Sequence, residues 1–206
     1  MADTLLVASR LVELARSDRL AEANLLLASF VRPELDAAIV LARLDELAGE
    51  VKGTNHLAVR RVISIAQGIG GNVDDYHNPD NHFLDTVIAS RRGIPISLSV
   101  LWIEVGRRAG IEMEGVGMPG HFLVYAGGQL VDPFHYGEAI GFDEAASLVA
   151  EALGGEPRAD RSWFRPVDSI AIVRRMLLNL ERLYSARAEF RHLEWVGTCL
   201  EALGPA

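Results

Sequence analysis

Two side chains near the middle of the chain have the types and spacing of a catalytic base and the group that orients it. His121 opens the apolar run His121-Phe122-Leu123-Val124-Tyr125, and Asp132 closes the run Gln129-Leu130-Val131-Asp132. Gly127-Gly128 between them reads as a two-residue hairpin turn, because such turns need residues that accept positive φ. This turn sets Ala126 opposite Gln129 and, counting back, Leu123 opposite Asp132. Strand side chains alternate between faces, so His121 shares the face of Leu123 and lies diagonally across from Asp132, within side-chain reach. A carboxylate in that place holds the imidazole tautomer and stabilises its charged form, which is the base-and-orienter half of a hydrolytic triad.

The nucleophile is the missing part. Ser97 stands in the first turn of the apolar run Ile94–Val105, just after Pro95. A helix dipole there favours developing negative charge. A serine in a first helical turn more often serves the backbone, and the residues alone favour that role. Acyl transfer or amide hydrolysis by Ser97, with His121 as base and Asp132 as orienter, is the alternative. Cys199, the one cysteine, falls in the last helical stripe and reads as a buried structural thiol. A single cysteine excludes an internal disulfide and a multi-cysteine zinc site, and it fits a reducing compartment.

Metal chemistry is the other possibility that the residue types raise. His77, His82, His121 and His135, with Asp132 and Glu138, are ligand types. Asp132, His135 and Glu138 fall three apart, a spacing that shares a face on a helix but not on a strand. Pro133 argues against a helix starting at Asp132, so no metal and no other cofactor is expected. The loop Asp74-Asp75-Tyr76-His77 lacks the glycine that a calcium loop places in its turn. Arg91-Arg92 and Arg107-Arg108 read as solvated charges or ion-pair partners rather than an anion site.

Three regions must position these residues. Residues 1–72 read as helices, with stripes at Leu5, Leu6, Ser9, Val12 and Leu14, at Glu22–Val31, at Leu35, Ile39, Leu41, Leu44 and Leu47, and at Val59, Val62, Ile63 and Ile65. Pro33, Gly49 and Gly68-Ile69-Gly70-Gly71 mark breaks. Residues 73–155 form the core unit. A polar loop over 72–81 leads to a short helix at Phe83–Ser90 and then to a buried central helix that starts near Pro95, contains Trp102 and ends at Gly110. The hairpin follows. A link at Gly154-Gly155-Glu156-Pro157 leads to Trp163, Phe164 and Pro166, expected to clasp it to the core. Residues 165–206 read as two helices, about one tetratricopeptide-like unit. One unit makes no solenoid, so it should pack on the core or on a partner.

The chain has 206 residues, half of them hydrophobic, and a formal net charge of -8. That length supports one sizeable core with a helical annex. The acidic balance argues against nucleic-acid binding, which needs a basic face. No uncharged run reaches the ~20 residues of a membrane span, and Arg10 and Glu13 interrupt any secretory core. The expectation is a cytoplasmic protein without a membrane partner.

Several stretches together resemble the SirB-type family, a branch of the transglutaminase-like superfamily with a papain-like core. They are Asn81 with Leu84, Arg92-Gly93-Ile94-Pro95-Ile96-Ser97-Leu98-Ser99, Gly115-Val116, Pro119-Gly120-His121-Phe122 and Val131-Asp132-Pro133-Phe134. Leu35-Asp36 and Leu44-Asp45-Glu46-Leu47-Ala48 are similar to that family's N-terminal helices, and Arg175–Leu180 to its tetratricopeptide-like tail. The resemblance implies an α+β fold with a buried helix on a small antiparallel sheet, flanked by N-terminal helices and a C-terminal helical hairpin. It implies the superfamily's histidine at His121 and its aspartate at Asp132. The superfamily's cysteine has no counterpart, since no cysteine lies between Arg91 and Leu101. The favoured reading is therefore a non-catalytic binding or regulatory protein. A protein partner would dock on the helical tail, and a peptide or small amide would enter the core cleft.

Overall fold

The computed structural model describes residues 2–155 and 160–205. The N-terminal region is helical, as its stripes predict: α1 (Ala2–Arg16), α2 (Leu20–Ser29), α3 (Ala37–Glu50) and α4 (His56–Arg60), the last continued by a π-helical turn over Arg61–Ala66. Asp36 caps α3 by accepting from the Ala38 N–H at 3.0 Å, which satisfies one of the free amides of a helix start. The predicted stripes are wrong at their edges. Leu5, Leu6, Ile39 and Ile65 are exposed, while Leu11, Leu14, Leu44, Leu47 and Ile63 are buried.

The core unit follows with α5 (Leu84–Ser90) and α6 (Pro95–Arg108). Every residue of α6 from Pro95 to Gly106 is buried, so this helix is wrapped on all sides, as its all-round apolar sequence predicts. Pro95 sits in its first turn, where its missing N–H leaves nothing unpaired. Two short strands, β1 (Gly70–Gly71) and β2 (Arg92–Gly93), pair in parallel just before it. A four-stranded antiparallel sheet comes next, in the order β3 (Glu114–Met118), β4 (His121–Ala126), β5 (Gln129–Asp132) and β6 (Glu138–Ile140). The hairpin register is as predicted, with Ala126 paired to Gln129. Gly127 and Gly128 have φ of 58° and 86°, the conformation such a turn demands. The outer strands β3 and β6 and the helix α7 (Phe142–Leu153) that follows them were not read from the sequence.

One face of the sheet, with Phe122, Val124, Ala126 and Val131, joins the main core around α6. The other face, with Val116, Met118 and Leu123, packs on Ala145 and Val149 of α7. Trp163 and Phe164 pack against this second cluster, whereas Pro166, expected beside them, is exposed. Glu156 and Pro157 of the link lie outside the described residues.

The tail is a helical hairpin, α8 (Ser169–Ala186) and α9 (Phe190–Leu203). It packs on the core: α8 touches α1, α2, α6 and β3, and α9 touches α1. Ile172, Met176, Leu180 and Tyr184 lie in the same continuous core as Leu11 and Trp102, so the three regions share one apolar interior. Phe190, assigned to the inner stripe of the last helix, is 72% exposed instead. Cys199 is buried, and burial pushes its thiol up to about 11.

A buried carboxylate locks α6 to the N-terminal helices. Glu104 is fully buried and accepts from the Ala21 N–H at 3.3 Å and from Arg107 at 2.8 Å. Arg108 binds the same carboxylate and reaches Asp45 of α3 at 2.9 Å. The pair Arg107-Arg108 thus serves as ion-pair partners. Glu104→Gln leaves two guanidiniums without their buried partner, and we expect it to lower the unfolding free energy by about 3 kcal/mol, read as a drop in the urea midpoint.

Candidate functional site

The sheet brings His121 and Asp132 together as the hairpin geometry requires. The His121 Nε2 lies 2.8 Å from the Asp132 Oδ2. The Asp132 side chain is 3% exposed and that of His121 is 11% exposed. A third residue joins them that sequence reasoning placed on an unrelated spacing. Asp132 ends β5, and the chain turns through Pro133 so that the Phe134 N–H donates to Asp132 Oδ1 at 2.9 Å. This Asx-type turn carries His135 back over the carboxylate, with its Nδ1 at 2.8 Å from Asp132 Oδ2. The donor atoms of His121, Asp132 and His135 all lie within 4.8 Å of one another. The signal was present in Asp132-Pro133, which marks a turn after a strand and not the helix that the three-residue spacing would need. Glu138, the third member of that spacing, pairs with Asp132 across β5 and β6 instead.

Glycines make room for this turn. A Cβ on Gly71 would stand 2.7 Å from the Phe134 ring, and one on Gly137 2.1 Å from Trp102. The Gly71 N–H donates to the Phe134 carbonyl at 2.9 Å, and Arg60 donates to the Tyr136 carbonyl at 3.0 Å. Burial pushes the Asp132 carboxyl up, and the hydrogen bonds and charges of His121 and His135 outweigh it, so the group is held below the usual carboxylate range. Phe134 sets its edge against both imidazoles, at 5.9 Å from His121 and 5.2 Å from His135.

Ser97 stands apart from this group. Its side chain is fully buried. Its hydroxyl lies 2.6 Å from the Asn81 carbonyl and 3.1 Å from that of Ile94, and it accepts from the Ile94 N–H at 3.2 Å. That is the backbone role. Among the described residues no hydrogen bond joins Ser97 to His121. Asn81 completes the arrangement: its amide donates to the carbonyls of Asp75 and Tyr76 at 2.7 and 3.1 Å and accepts from Asn72 at 2.9 Å.

A cleft of about 480 Å³ opens beside the start of α6. Ile94, Pro95 and Ile96 form its floor, and Gly120 and Phe122, the neighbours of His121, line one side. Tyr76 and His77 of the polar loop, His82 at the end of the 3-10 turn Pro79–His82, and Arg175, Asn179 and Arg182 of α8 also line it. Arg175 donates to the Met118 carbonyl at 3.2 Å. Burial, and to a lesser degree the charge of Arg182, pulls its pKa down. Among the described residues no carboxylate pairs with either. No helix among the described residues is long and apolar enough to cross a membrane.

Comparison with known proteins agrees with this architecture. Residues 31–178 match the family profile described as Transglutaminase-like superfamily. The chain belongs to that superfamily. A "UPF0162 protein" of Xylella fastidiosa strain 9a5c is 37% identical over 177 residues, covering 78% of this chain and 63% of the relative. A "UPF0162 protein" of Pseudomonas aeruginosa is 28% identical over 82% of this chain and 66% of its own length. "F-box only protein 21" of Mus musculus is 33% identical over 117 residues, 53% of this chain and 18% of the relative. The chain thus spans a little under two thirds of the first of these relatives. No solved structure matches. Within this transglutaminase-like fold, the matched segment includes α6, the hairpin and the first part of α8 with Arg175, and ends before Asn179 and Arg182.

His82 gives the cleft a pH signature. Burial pushes its pKa down to about 4. The unfolded chain therefore takes up a proton before the folded protein does, and this component of stability is present above pH 6.5 and lost as pH falls from 6.5 toward 4. By pH 5 the loss is about 2 kcal/mol. We expect His82→Gln to remove that component, seen as a smaller difference between urea unfolding at pH 7 and at pH 5 than in the wild type.

Proposed function

We propose that this protein is a non-catalytic binding member of the transglutaminase-like superfamily, of the SirB type, that takes an anionic ligand in the cleft between its core and its helical tail. The observation that carries this reading is the start of α6. Ser97, the candidate nucleophile, is fully buried and bound to the Asn81 carbonyl, and Cys199 is a buried thiol in α9 with its pKa raised. The His121–Asp132 pair then serves to hold the sheet end and the adjoining turn in shape, not to activate an attacking group. The SirB assignment is supported by the stretches Arg92–Ser99, Pro119–Phe122 and Val131–Phe134, and the tail is read as tetratricopeptide-like from its two-helix length and its Arg175–Leu180 stretch.

The ligand chemistry follows from the cleft walls. Arg175 and Arg182 both line the cleft and have no carboxylate partner among the described residues, and an anion bound there pairs bidentately with a guanidinium. Apolar floor residues such as Ile94, Ile96 and Phe122 suit the body of a peptide or small acid. The tail helps to form this site through α8, so the cleft and the tail act as one binding surface.

Two measurements test the reading. A serine-directed fluorophosphonate should label neither the wild type nor Ser97→Ala; labelling of the wild type that Ser97→Ala abolishes would restore the hydrolase alternative with His121 as base and Asp132 as orienter. A tetraglutamate peptide, followed by intrinsic tryptophan fluorescence, should bind saturably, and Arg182→Ala should weaken it by roughly tenfold, the loss of one charge-assisted contact. Equal binding by wild type and Arg182→Ala counts against the anionic cleft.

A further inference from the structure

We propose that His121, Asp132 and His135 form a divalent transition-metal site of the zinc class, distinct from the cleft. Two imidazoles and one carboxylate are the ligand set of open, three-residue sites for such ions. Here they converge on one point: His121 Nε2 and His135 Nδ1 each lie 2.8 Å from the same oxygen, Asp132 Oδ2. All three donor atoms fall within 4.8 Å of one another. Ligand bonds of ~2.0–2.1 Å in a tetrahedral site set donors about 3.4 Å apart. An ion therefore enters by parting each hydrogen-bonded pair by roughly half an ångström, a shift that side-chain torsions supply without moving the backbone.

The surroundings are those of a held site. The second carboxylate oxygen, Asp132 Oδ1, accepts from the Phe134 N–H at 2.9 Å and the His135 N–H at 3.4 Å, which fixes the direction of Oδ2. Supporting hydrogen bonds of this kind orient metal ligands. Phe134 stands edge-on to both rings, and Gly71, which has no Cβ to strike it, lets it sit there. His121 and Asp132 come from adjacent strands of a packed sheet, so two of the three ligands are on rigid elements. The third gives access: the His135 side chain is 56% exposed against 3% for Asp132. An ion reaches the site from solvent on that side and keeps open positions there.

The proton accounting is simple. Without an ion, each imidazole donates the N–H that faces Asp132. With an ion bound, each presents that nitrogen as a lone pair and carries its proton on the other ring nitrogen, exchanged through water. One carboxylate and two neutral imidazoles around a doubly charged ion leave a net charge of +1, so the open position favours water or an anionic group. This inference does not depend on the proposed occupant of the cleft.

The test uses the full chain, freed of metal with a chelator. Titration with Zn²⁺ by calorimetry should show one saturable site, and Co²⁺ should give the visible absorption of a low-coordinate ion bound to nitrogen and oxygen. His135→Ala, at a half-exposed position that leaves the His121 contact to Asp132 in place, should weaken Zn²⁺ binding by on the order of a hundredfold or more, beyond what loss of a supporting group causes. His121→Ala should do the same, while His192→Ala, which alters the tail pair of His192 with Glu189, should leave affinity unchanged. No saturable Zn²⁺ binding by the wild type, or equal affinity in wild type and His135→Ala, overturns the proposal. Loss in His192→Ala alone overturns it as well, since the ion would then sit on the tail.

Discussion

The helix at the centre of this fold begins on a hydroxyl, and much else depends on how that hydroxyl is used. α6 is buried along its length, so its first turn has no water to satisfy its backbone. Ser97 answers that need, bonded to the carbonyls of Asn81 and Ile94 and accepting from the Ile94 amide. Asn81 in turn spends its whole side chain on Asn72, Asp75 and Tyr76. The polar loop before α5 is therefore tied to the helix start, and its outer residues become a wall of the cleft. Gly93 belongs to the same knot, since a Cβ there would come 2.9 Å from the Ser97 oxygen. A hydroxyl bound into the interior in this way is withdrawn from chemistry. The fold is transglutaminase-like, and in it Ser97 is bound to backbone rather than to His121.

A second constraint acts at the far end of the sheet. The turn from Asp132 to Gly137 is pressed against β1 and α6 and fits only because Gly70, Gly71 and Gly137 lack side chains. The Gly137 N–H closes the turn on the Asp132 carbonyl at 2.8 Å. Asp132 is nearly buried, and a buried carboxylate is tolerable only when its oxygens are satisfied. It has two imidazoles on one oxygen and two backbone amides on the other. The cleft differs, with Arg175 and Arg182 on its lining and no carboxylate paired to either among the described residues.

The sequence was legible where local rules act alone. Gly127-Gly128 fixed the hairpin register and so the meeting of His121 with Asp132, because a one-residue change would have flipped the faces. The all-round apolar run from Ile94 to Val105 marked a wrapped helix, and Pro95 marked its start. Legibility failed where tertiary packing decides. Leu5, Leu6 and Phe190 sit on apolar stripes yet face outward, since stripes wider than the partner surface leave their margins exposed. His135 was tied to a helical spacing and reached Asp132 through a turn instead. The cationic cleft was invisible because Arg175 and Arg182 lie on one helix and the loop that faces them lies about a hundred residues away, a juxtaposition that follows only from docking the tail on the core.

The account rests most heavily on the claim that the start of α6 is sealed. Its most direct measurement is the alkylation rate of a thiol placed there: Ser97→Cys in a chain that also carries Cys199→Ala, treated with iodoacetamide under native conditions. The account predicts reaction no faster than the opening of the fold, with a rate that rises steeply in mild denaturant. Rapid native-state alkylation that saturates below neutral pH, as for a thiolate paired with His121, would contradict it and return this protein to the enzymes.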